Sequence, residues 1–325
     1  MRVLVTGGSG YVGSATVREL AQSGHEVIVY DDLSTGHLKL SKGFELIEGN
    51  ICDRSKLLPA LRRSDAIMHF AASAYVGESV VNPRKYFRNN VESALSLMDA
   101  VLESNVRLFV FSSTCAVYGI PKSLPILEES PKEPINPYGA TKLFFERVLA
   151  AYSVTHGLRF AALRYFNAAG AHRCGEVGEI HDPETHLLPL AIRAALGSTP
   201  LTVYGKDLDT PDGTCVRDFV HVADLATAHI KALEYLAGGG VSVELNLGTG
   251  TGTSIAKLLA VIEEVSGLPV PHSFAPARAG DPPILYANVQ KANDILNWRA
   301  TFDLVKIVES AVQWEKQLPA FLSTL

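Results

Sequence analysis

Cysteine is scarce: Cys52, Cys115, Cys174 and Cys215 are the only four in 325 residues, and they lie far apart. No C-x-x-C pair or zinc-type spacing joins them, which argues against a disulfide framework or a cysteine metal centre, and no metal is expected. An uncharged apolar run of roughly 18 residues, long enough to cross a bilayer, is also missing. The chain opens on a strand-like run, Met1 to Thr6, without a basic segment and a long apolar one behind it, so no membrane partner and a cytoplasmic location are expected. Basic clusters are missing too. Lys and Arg number 29 against 34 Asp and Glu, a formal net charge of -5, and without a local basic patch no nucleic-acid partner is expected. Repeats and low-complexity tracts do not occur.

What is present is alternation. The short apolar runs VLVT, EVIVY, FELIE and AIMHF are interleaved with helical patterns at about Tyr11 to Ser23 and Ser55 to Leu61. A long helix fits Tyr86 to Ser104, followed by the strand RLFVFSS. Asn136 can cap and Pro137 can open a helix running to about Thr155, because proline loses nothing at the first helical position. The strand RFAALRYF follows. This order predicts an α/β fold, a doubly wound parallel sheet with helices on both faces. Past Asn167 a Gly/His/Asp/Pro-rich stretch, Ala168 to Pro183, loses periodicity as a binding loop would. The domain boundary is placed there, giving a cofactor domain over 1–170 and a smaller C-terminal substrate domain over 171–325. The second part should contain a helix at Leu187 to Leu196, a strand LTVY, a loop from Gly205 to Gly213 and a helix at about Ala223 to Leu236. VELNLG then reads as a further sheet strand, so the segment of about 220–248 is expected to return to the first domain.

The first strand runs into TGGSGYVG, whose Gly7, Gly8, Gly10 and Gly13 lead through Tyr11 and Val12 into a helix. Glycines there allow a tight turn and close backbone approach to a pyrophosphate, and the helix start supplies free N–H groups. The pattern alone is weak, but its place between strand and helix favours a dinucleotide site. The second strand ends in Asp31 and Asp32, about 20 residues further on, where a carboxylate accepts ribose hydroxyls. It would repel a 2′-phosphate, which favours NAD over NADP. One of the two aspartates can equally cap a turn, and Asp31 is the first choice for the ribose.

Tyr138 and Lys142 form Y-G-A-T-K, and i, i+4 spacing puts both on one helix face. A phenol has a pKa of about 10, and an adjacent ammonium together with a cationic nicotinamide should lower it, so that Tyr138 can take a proton from a sugar hydroxyl. A bare Y-x-x-x-K is common by chance. Upstream, Ser112, Ser113 and Thr114 in FSSTCAVYG end a strand at the edge where parallel sheets present ligands; their hydroxyls could donate to the same sugar oxygen or cap a turn.

Taken together, TGGSGYVG, HFAASAYVGESV, NNV, FSSTCAVYG, NPYGATK, LRYFNAAGA, GTCVRDFVHV, NLGTG and R-A-G-D resemble the UDP-glucose (UDP-galactose) 4-epimerases of the extended short-chain dehydrogenase/reductase family, over essentially the whole chain. The resemblance implies a Rossmann-type domain holding NAD and a C-terminal domain holding a UDP-sugar. It implies a cycle in which C4 is oxidised to a ketone, the sugar turns in the site, and hydride returns to the other face. It implies Tyr138 as acid/base, Lys142 as its tuning partner on the nicotinamide ribose, and Thr114 at the sugar 4-oxygen. Phe70, Ala71, Ala72, Asn89, Ser112 and Ser113 would line the NAD site, with Asn50 and Ile51 near adenine. Tyr165, Phe166 and Asn167 would lie where cofactor and substrate meet. His186, Leu187, Thr202, Val203, Tyr204, Arg217, Arg278 and Asp281 would hold the UDP portion, the arginines because a guanidinium fork suits diphosphate oxygens. A homodimer through the helices at Tyr86 to Ser104 and Tyr138 to Thr155 is also implied.

Ala74, Asn50, Thr114 and His186 depart from the enteric pattern, which has lysine, aspartate, serine and asparagine there. Leu285 stands where family members are bulky or small according to sugar size, so N-acetylated hexoses and pentoses stay open. A 4,6-dehydratase would carry acids beside Thr114, where this chain has Cys115 and Ala116. A non-catalytic dinucleotide-binding protein would be expected to lack Tyr138 or Lys142, and neither is missing.

Overall fold

The computed structural model describes residues 1–278 and 281–323. The chain begins β1 (Arg2–Thr6), α1 (Tyr11–Gln22), β2 (Glu26–Asp31), β3 (Glu45–Glu48), α2 (Arg54–Arg62), β4 (Ala66–His69). It continues α3 (Val76–Val81), α4 (Pro83–Phe87), α5 (Ser93–Leu102), β5 (Leu108–Thr114), α6 (Pro137–His156), β6 (Arg159–Tyr165). There follow β7 (Asn167–Ala169), α7 (Leu187–Ala195), β8 (Leu201–Tyr204), β9 (Val216–Arg217), β10 (Phe219–His221), α8 (Val222–Ala237) and β11 (Val243–Leu247). The remainder is β12 (Thr253–Ser254), α9 (Ile255–Ser266), β13 (His272–Ala275), β14 (Ile284–Leu285), α10 (Gln290–Leu296) and α11 (Leu304–Ser323).

Seven strands form one parallel sheet in the order β11-β6-β5-β4-β1-β2-β3, a Rossmann-type α/β arrangement. The apolar runs are nearly unbroken because both faces are covered. Within β1, Val3 and Val5 enter the core beneath α1 and α8, while Leu4 enters the one beneath α2, α5 and α6, the alternation a strand requires. VELNLG does return to this sheet: β11 pairs with β6, with Leu245 opposite Leu163. A third core joins α7, α9 and α11 around Leu188, Leu258 and Val308.

Asn136 caps α6 as expected, its Oδ1 accepting from the amide of Gly139 at 2.8 Å, and Gly157 closes that helix at φ 66°. The helix expected over Tyr86 to Ser104 is different. It starts earlier, at Pro83, and carries one turn of π-helix over Arg88–Glu92. The wide turn carries Asn90 inward, where its Oδ1 accepts from the amide of Ser73 at 2.8 Å and its Nδ2 donates to Thr141 on α6 at 3.2 Å. Such turns frequently mark functional sites, and their side-chain spacing carries no periodic signature.

The stretch from Ala168 to Pro183 is a second departure. Its start extends β7, which pairs in parallel with β10, and Val177 and Ile180 are buried in a cluster with Tyr11, Ala15 and Trp314. A Cβ on Gly178 would come within 2.3 Å of the Trp314 ring, so only glycine lets α11 close over this segment. The segment is therefore partly core: residues 169–172 and 177–180 are buried, while Arg173, Cys174, Glu176, Asp182 and Pro183 are exposed.

An ion-pair group ties it to α1. Buried Glu19 receives His172 Nε2 at 2.8 Å and Arg173 at 2.9 Å. The hydrogen bond from His172 holds the Glu19 carboxyl below its ordinary 4.5. Burial opposes charge on His172, but its bonds to Cys174 and Glu19 outweigh burial and raise it above 6.5. The lowered carboxyl stabilises fully above 4.5 and loses this as pH falls; the raised imidazole stabilises fully below 6.5 and loses this as pH rises. The stability difference between the native protein and His172→Asn should therefore be greatest between about pH 4.5 and 6.5 and shrink on either side. Urea unfolding from well below pH 4.5 to well above pH 6.5 checks this, and a difference that does not vary over that span would contradict it.

Candidate active site

The expected cofactor residues collect at the carboxyl ends of β1, β2, β4, β5 and β6, the edge where doubly wound sheets bind ligands. Gly7 has φ 72°, and a Cβ there would meet the Ala71 amide nitrogen at 2.5 Å. A Cβ on Gly13 would meet the Gly7 carbonyl oxygen at 2.1 Å. These two glycines let the β1 turn, the start of α1 and the Phe70–Ala71 turn close on one another, a cradle that any side chain would fill. Gly10 precedes α1 without a side-chain cap, leaving first-turn N–H groups available to an anion. The Tyr11 side chain is buried and donates to the Gly170 carbonyl, so Tyr11 and Val12 offer this cradle backbone rather than side chain.

Asp31 is buried at the end of β2. Its carboxylate accepts the amides of Ser9 and Leu33, both at 2.9 Å, and burial still raises its pKa. It thus braces the glycine loop. Exposed Asp32 accepts from Asn50 Nδ2 at 2.9 Å, which brings the two candidates for the adenosine side together. Ile51 is core. Phe70 lies against His229 with ring centroids 4.7 Å apart, Ala72 is partly buried, and Asn89 donates to Ser73 Oγ at 3.1 Å.

Tyr138 and Lys142 lie on the first turns of α6, against the end of β5. Lys142 is 4% exposed and donates to the Ser112 carbonyl at 2.8 Å; its Nζ stands 4.9 Å from the Phe111 ring centroid and 5.9 Å from that of Tyr138. The Thr114 hydroxyl acts on the Tyr138 phenol, lowering its pKa, and Ser112 Oγ shares a hydrogen bond with the Tyr165 hydroxyl. Thr114, Tyr138, Lys142, Ser112 and Tyr165 are therefore one contiguous group. Burial moves Lys142 down to about 7. Burial and the neighbouring Tyr165 push the Tyr138 phenol up, with the Thr114 bond acting weakly the other way. The protein's own surroundings thus raise the phenol, chiefly through desolvation; the expected lowering included a cationic nicotinamide and concerns the cofactor-bound site.

Ser113 departs from expectation. Strand alternation turns it away from Ser112 and Thr114, and its fully buried hydroxyl donates to Glu146 Oε1 at 2.5 Å. Ser113 thus supports the site from behind.

On the substrate side, β8 alternates, so Val203 is buried in the C-terminal core while Thr202 and Tyr204 face out. The Val203 side chain cannot reach a ligand. The Arg278 guanidinium lies 4.0 Å from the Tyr204 ring centroid, and Arg217 pairs with Asp281 at 2.7 Å. Arg217 acts electrostatically on Cys115, next to Thr114, opposing the rise that burial imposes on that thiol. Phe166 and Leu285 join a cluster with Val117 and Ala287, and Asn167 donates its amide to the Asp218 carbonyl at 2.9 Å. His186 and Leu187 sit at the start of α7.

The NAD dependent epimerase/dehydratase family model matches residues 3–248. The chain belongs to that family. A UDP-glucose 4-epimerase of Rhizobium meliloti is 50% identical over 318 residues, 97% of each chain. The crystal structure of a UDP-glucose 4-epimerase from Brucella ovis in complex with NAD superposes with a TM-score of 0.94 at 48% identity, covering 98% of both chains. A UDP-glucose 4-epimerase structure from Stenotrophomonas maltophila, with bound NAD and formylated UDP-arabinopyranose, gives a TM-score of 0.96 at 36% identity, covering 98% of this chain and 99% of that one.

Three features of this family member escape a reading of the motifs. Buried Asp218 accepts Thr249 N and Oγ1, Gly250 N and Ala287 N, tying β9 to the NLGTG turn and β14. Glu146, one turn beyond Lys142, forms a buried pair with Arg164. Glu179, His181, Glu184 and His186 converge, although each is unremarkable alone; their tight E-x-H-x-x-E-x-H spacing was the available signal.

Proposed function

We propose that the chain interconverts the C4 epimers of a UDP-linked hexose, UDP-glucose and UDP-galactose, with NAD as its bound cofactor. The observation that carries this reading is the contiguous group of Tyr138, Lys142 and Thr114 at the sheet edge beside the glycine cradle. NAD fits the residues present: Gly7 and Gly13 leave the space, Gly10 leaves amides, and Asp31, Asp32 and Asn50 form an acidic end that disfavours a 2′-phosphate. When bound, the nicotinamide would accept hydride from C4 and return it.

The protein's own part is proton handling and positioning. Tyr138 takes the proton of the 4-hydroxyl and gives it back, with Thr114 holding the same oxygen. The phenol is held up by burial, so its ionisation awaits positive charge brought by the oxidised cofactor. Lys142, moved down to about 7, is poised to share that charge near neutral pH. Arg217 and Arg278 bind the diphosphate, and Asp281 holds Arg217 in place. Residues 1–170 with about 220–248 serve the cofactor, and the rest of 171–325 the UDP-sugar. Cys115 and Ala116 beside Thr114 offer no acid for dehydration.

Exposed Phe87 and Phe144, 49% and 43% accessible on α4 and α6, support a homodimer through these helices. Free thiols and, among the described residues, the absence of a helix able to cross a membrane are consistent with a cytoplasmic enzyme. Purified protein incubated with UDP-glucose and no added NAD should form UDP-galactose. A panel including UDP-N-acetylglucosamine and UDP-xylose reads the latitude around Leu285, and a 4-keto-6-deoxy product would reject epimerisation.

A further inference from the structure

Glu179, His181, Glu184 and His186 each turn one ligand-capable atom toward a common point, all four within 4.8 Å of one another. His186 Nδ1 lies 2.7 Å from Glu179 Oε1 and 3.2 Å from Glu184 Oε1. His181 Nδ1 lies 3.2 Å and 3.7 Å from the same two oxygens. Four ligands at about 2.0–2.2 Å from a tetrahedral ion stand about 3.3–3.6 Å from one another, and the observed separations bracket that spacing.

Hydrogen bonding accounts for only part of the group: Glu184 Oε1 accepts the amides of Thr185 and His186 at 2.8 and 2.9 Å, and His186 Nδ1 stands 3.2 Å from it. His181 Nδ1 is buried and, despite its proximity to Glu179, not aligned for a hydrogen bond. Glu184, with a side chain 2% exposed, leaves Oε2 without a hydrogen-bond partner, with only a long ion pair to Arg193 at 3.8 Å. Both imidazoles address the same pair of oxygens, an arrangement that one cation satisfies better than separate N–H···O contacts. The rings of His181 and His186 also pack on Tyr75 at 5.3 and 6.0 Å, which fixes their orientation.

We propose that these residues form a binding site for one divalent transition-metal cation of the zinc type. Two carboxylates and two neutral imidazoles would balance its charge, which suits a partly buried position, and four protein donors make the site structural rather than catalytic. The cation would lock residues 179–186 ahead of α7, and it commits His186 Nδ1 to the metal rather than to a nucleotide.

The test uses the full chain, stripped with a chelator and titrated with Zn²⁺ by calorimetry and with Co²⁺ by visible absorption. One ion per chain is expected, with the intense d–d bands of four-coordinate cobalt and a higher thermal midpoint. Glu184→Gln and His181→Asn should each weaken Zn²⁺ binding by at least about 100-fold, the upper end of what losing a mere outer-sphere partner costs. His272→Asn, at an exposed histidine, should leave binding unchanged. If the stripped protein takes up no stoichiometric Zn²⁺, or the ligand variants bind it as well as the native chain, the group is an ion-pair cluster only and the proposal falls. Should a variant not fold, the cobalt spectrum of the native chain decides alone. None of these readouts depends on epimerisation, so the proposal can fail while the proposed function stands.

Discussion

Tyr138→Phe is expected to lower the epimerisation rate by about 10²–10⁴-fold, the usual contribution of a positioned acid/base. The substitution removes one oxygen and leaves the ring packed edge-on against Tyr86, with centroids 6.4 Å apart, so the fold and cofactor binding should persist. The loss should appear in kcat, with bound dinucleotide still released on denaturation in stoichiometric amount. Thr114, which acts on this phenol, cannot itself act as a base near neutral pH and so should not substitute for it. Turnover equal to that of the native protein would remove Tyr138 from the acid/base role.

The largest stability effect is expected behind the site, at Arg164 and Glu146. Both are almost fully buried, and the guanidinium meets the carboxylate with two bonds, Nε to Oε1 at 2.8 Å and an Nη to Oε2 at 2.6 Å. Arg164 also donates to the Tyr118 hydroxyl at 3.0 Å, and Tyr118 donates to Asn246 on β11 at 2.7 Å. Burial works against the Arg164 charge, but the pairing with Glu146 outweighs it and holds its pKa well above the ordinary value. Arg164→Met strands a buried carboxylate, and Glu146→Leu strands a buried guanidinium. Each should cost about 3–5 kcal/mol in urea unfolding, while the double variant should recover much of the loss. A single-variant loss below about 1 kcal/mol, the range of an exposed pair, would contradict this account. Because Glu146 also holds Ser113, between Ser112 and Thr114, the single variants should loosen the end of β5 as well.

The parts of the site legible in the sequence were those set by short-range geometry. Glycine spacing between a strand and a helix fixes a phosphate cradle whatever lies beyond it, and i, i+4 spacing puts Tyr138 and Lys142 on one face. The capping of α6 by Asn136 and Pro137 was readable for the same reason. What stayed hidden depends on partners distant in sequence. Nothing local to Ser113 announces Glu146, nothing local to Asp31 announces the Ser9 amide, and the burial of Val177 and Ile180 needs Trp314. The raising of the Tyr138 phenol by burial was not legible either, because proximity of charge is visible in a motif, whereas desolvation is a property of the whole surround.

By itself the sequence determined the parallel-sheet class, the cradle, the acidic end of β2 and the tyrosine–lysine pair, since each is encoded within about one strand and one helix. Only the tertiary structure decided which hydroxyls face a ligand, which charges are buried together, and that two glutamates and two histidines meet at one point. Those outcomes are settled by packing between segments far apart in the chain, where the free energy of burial, rather than local conformational preference, selects the neighbour.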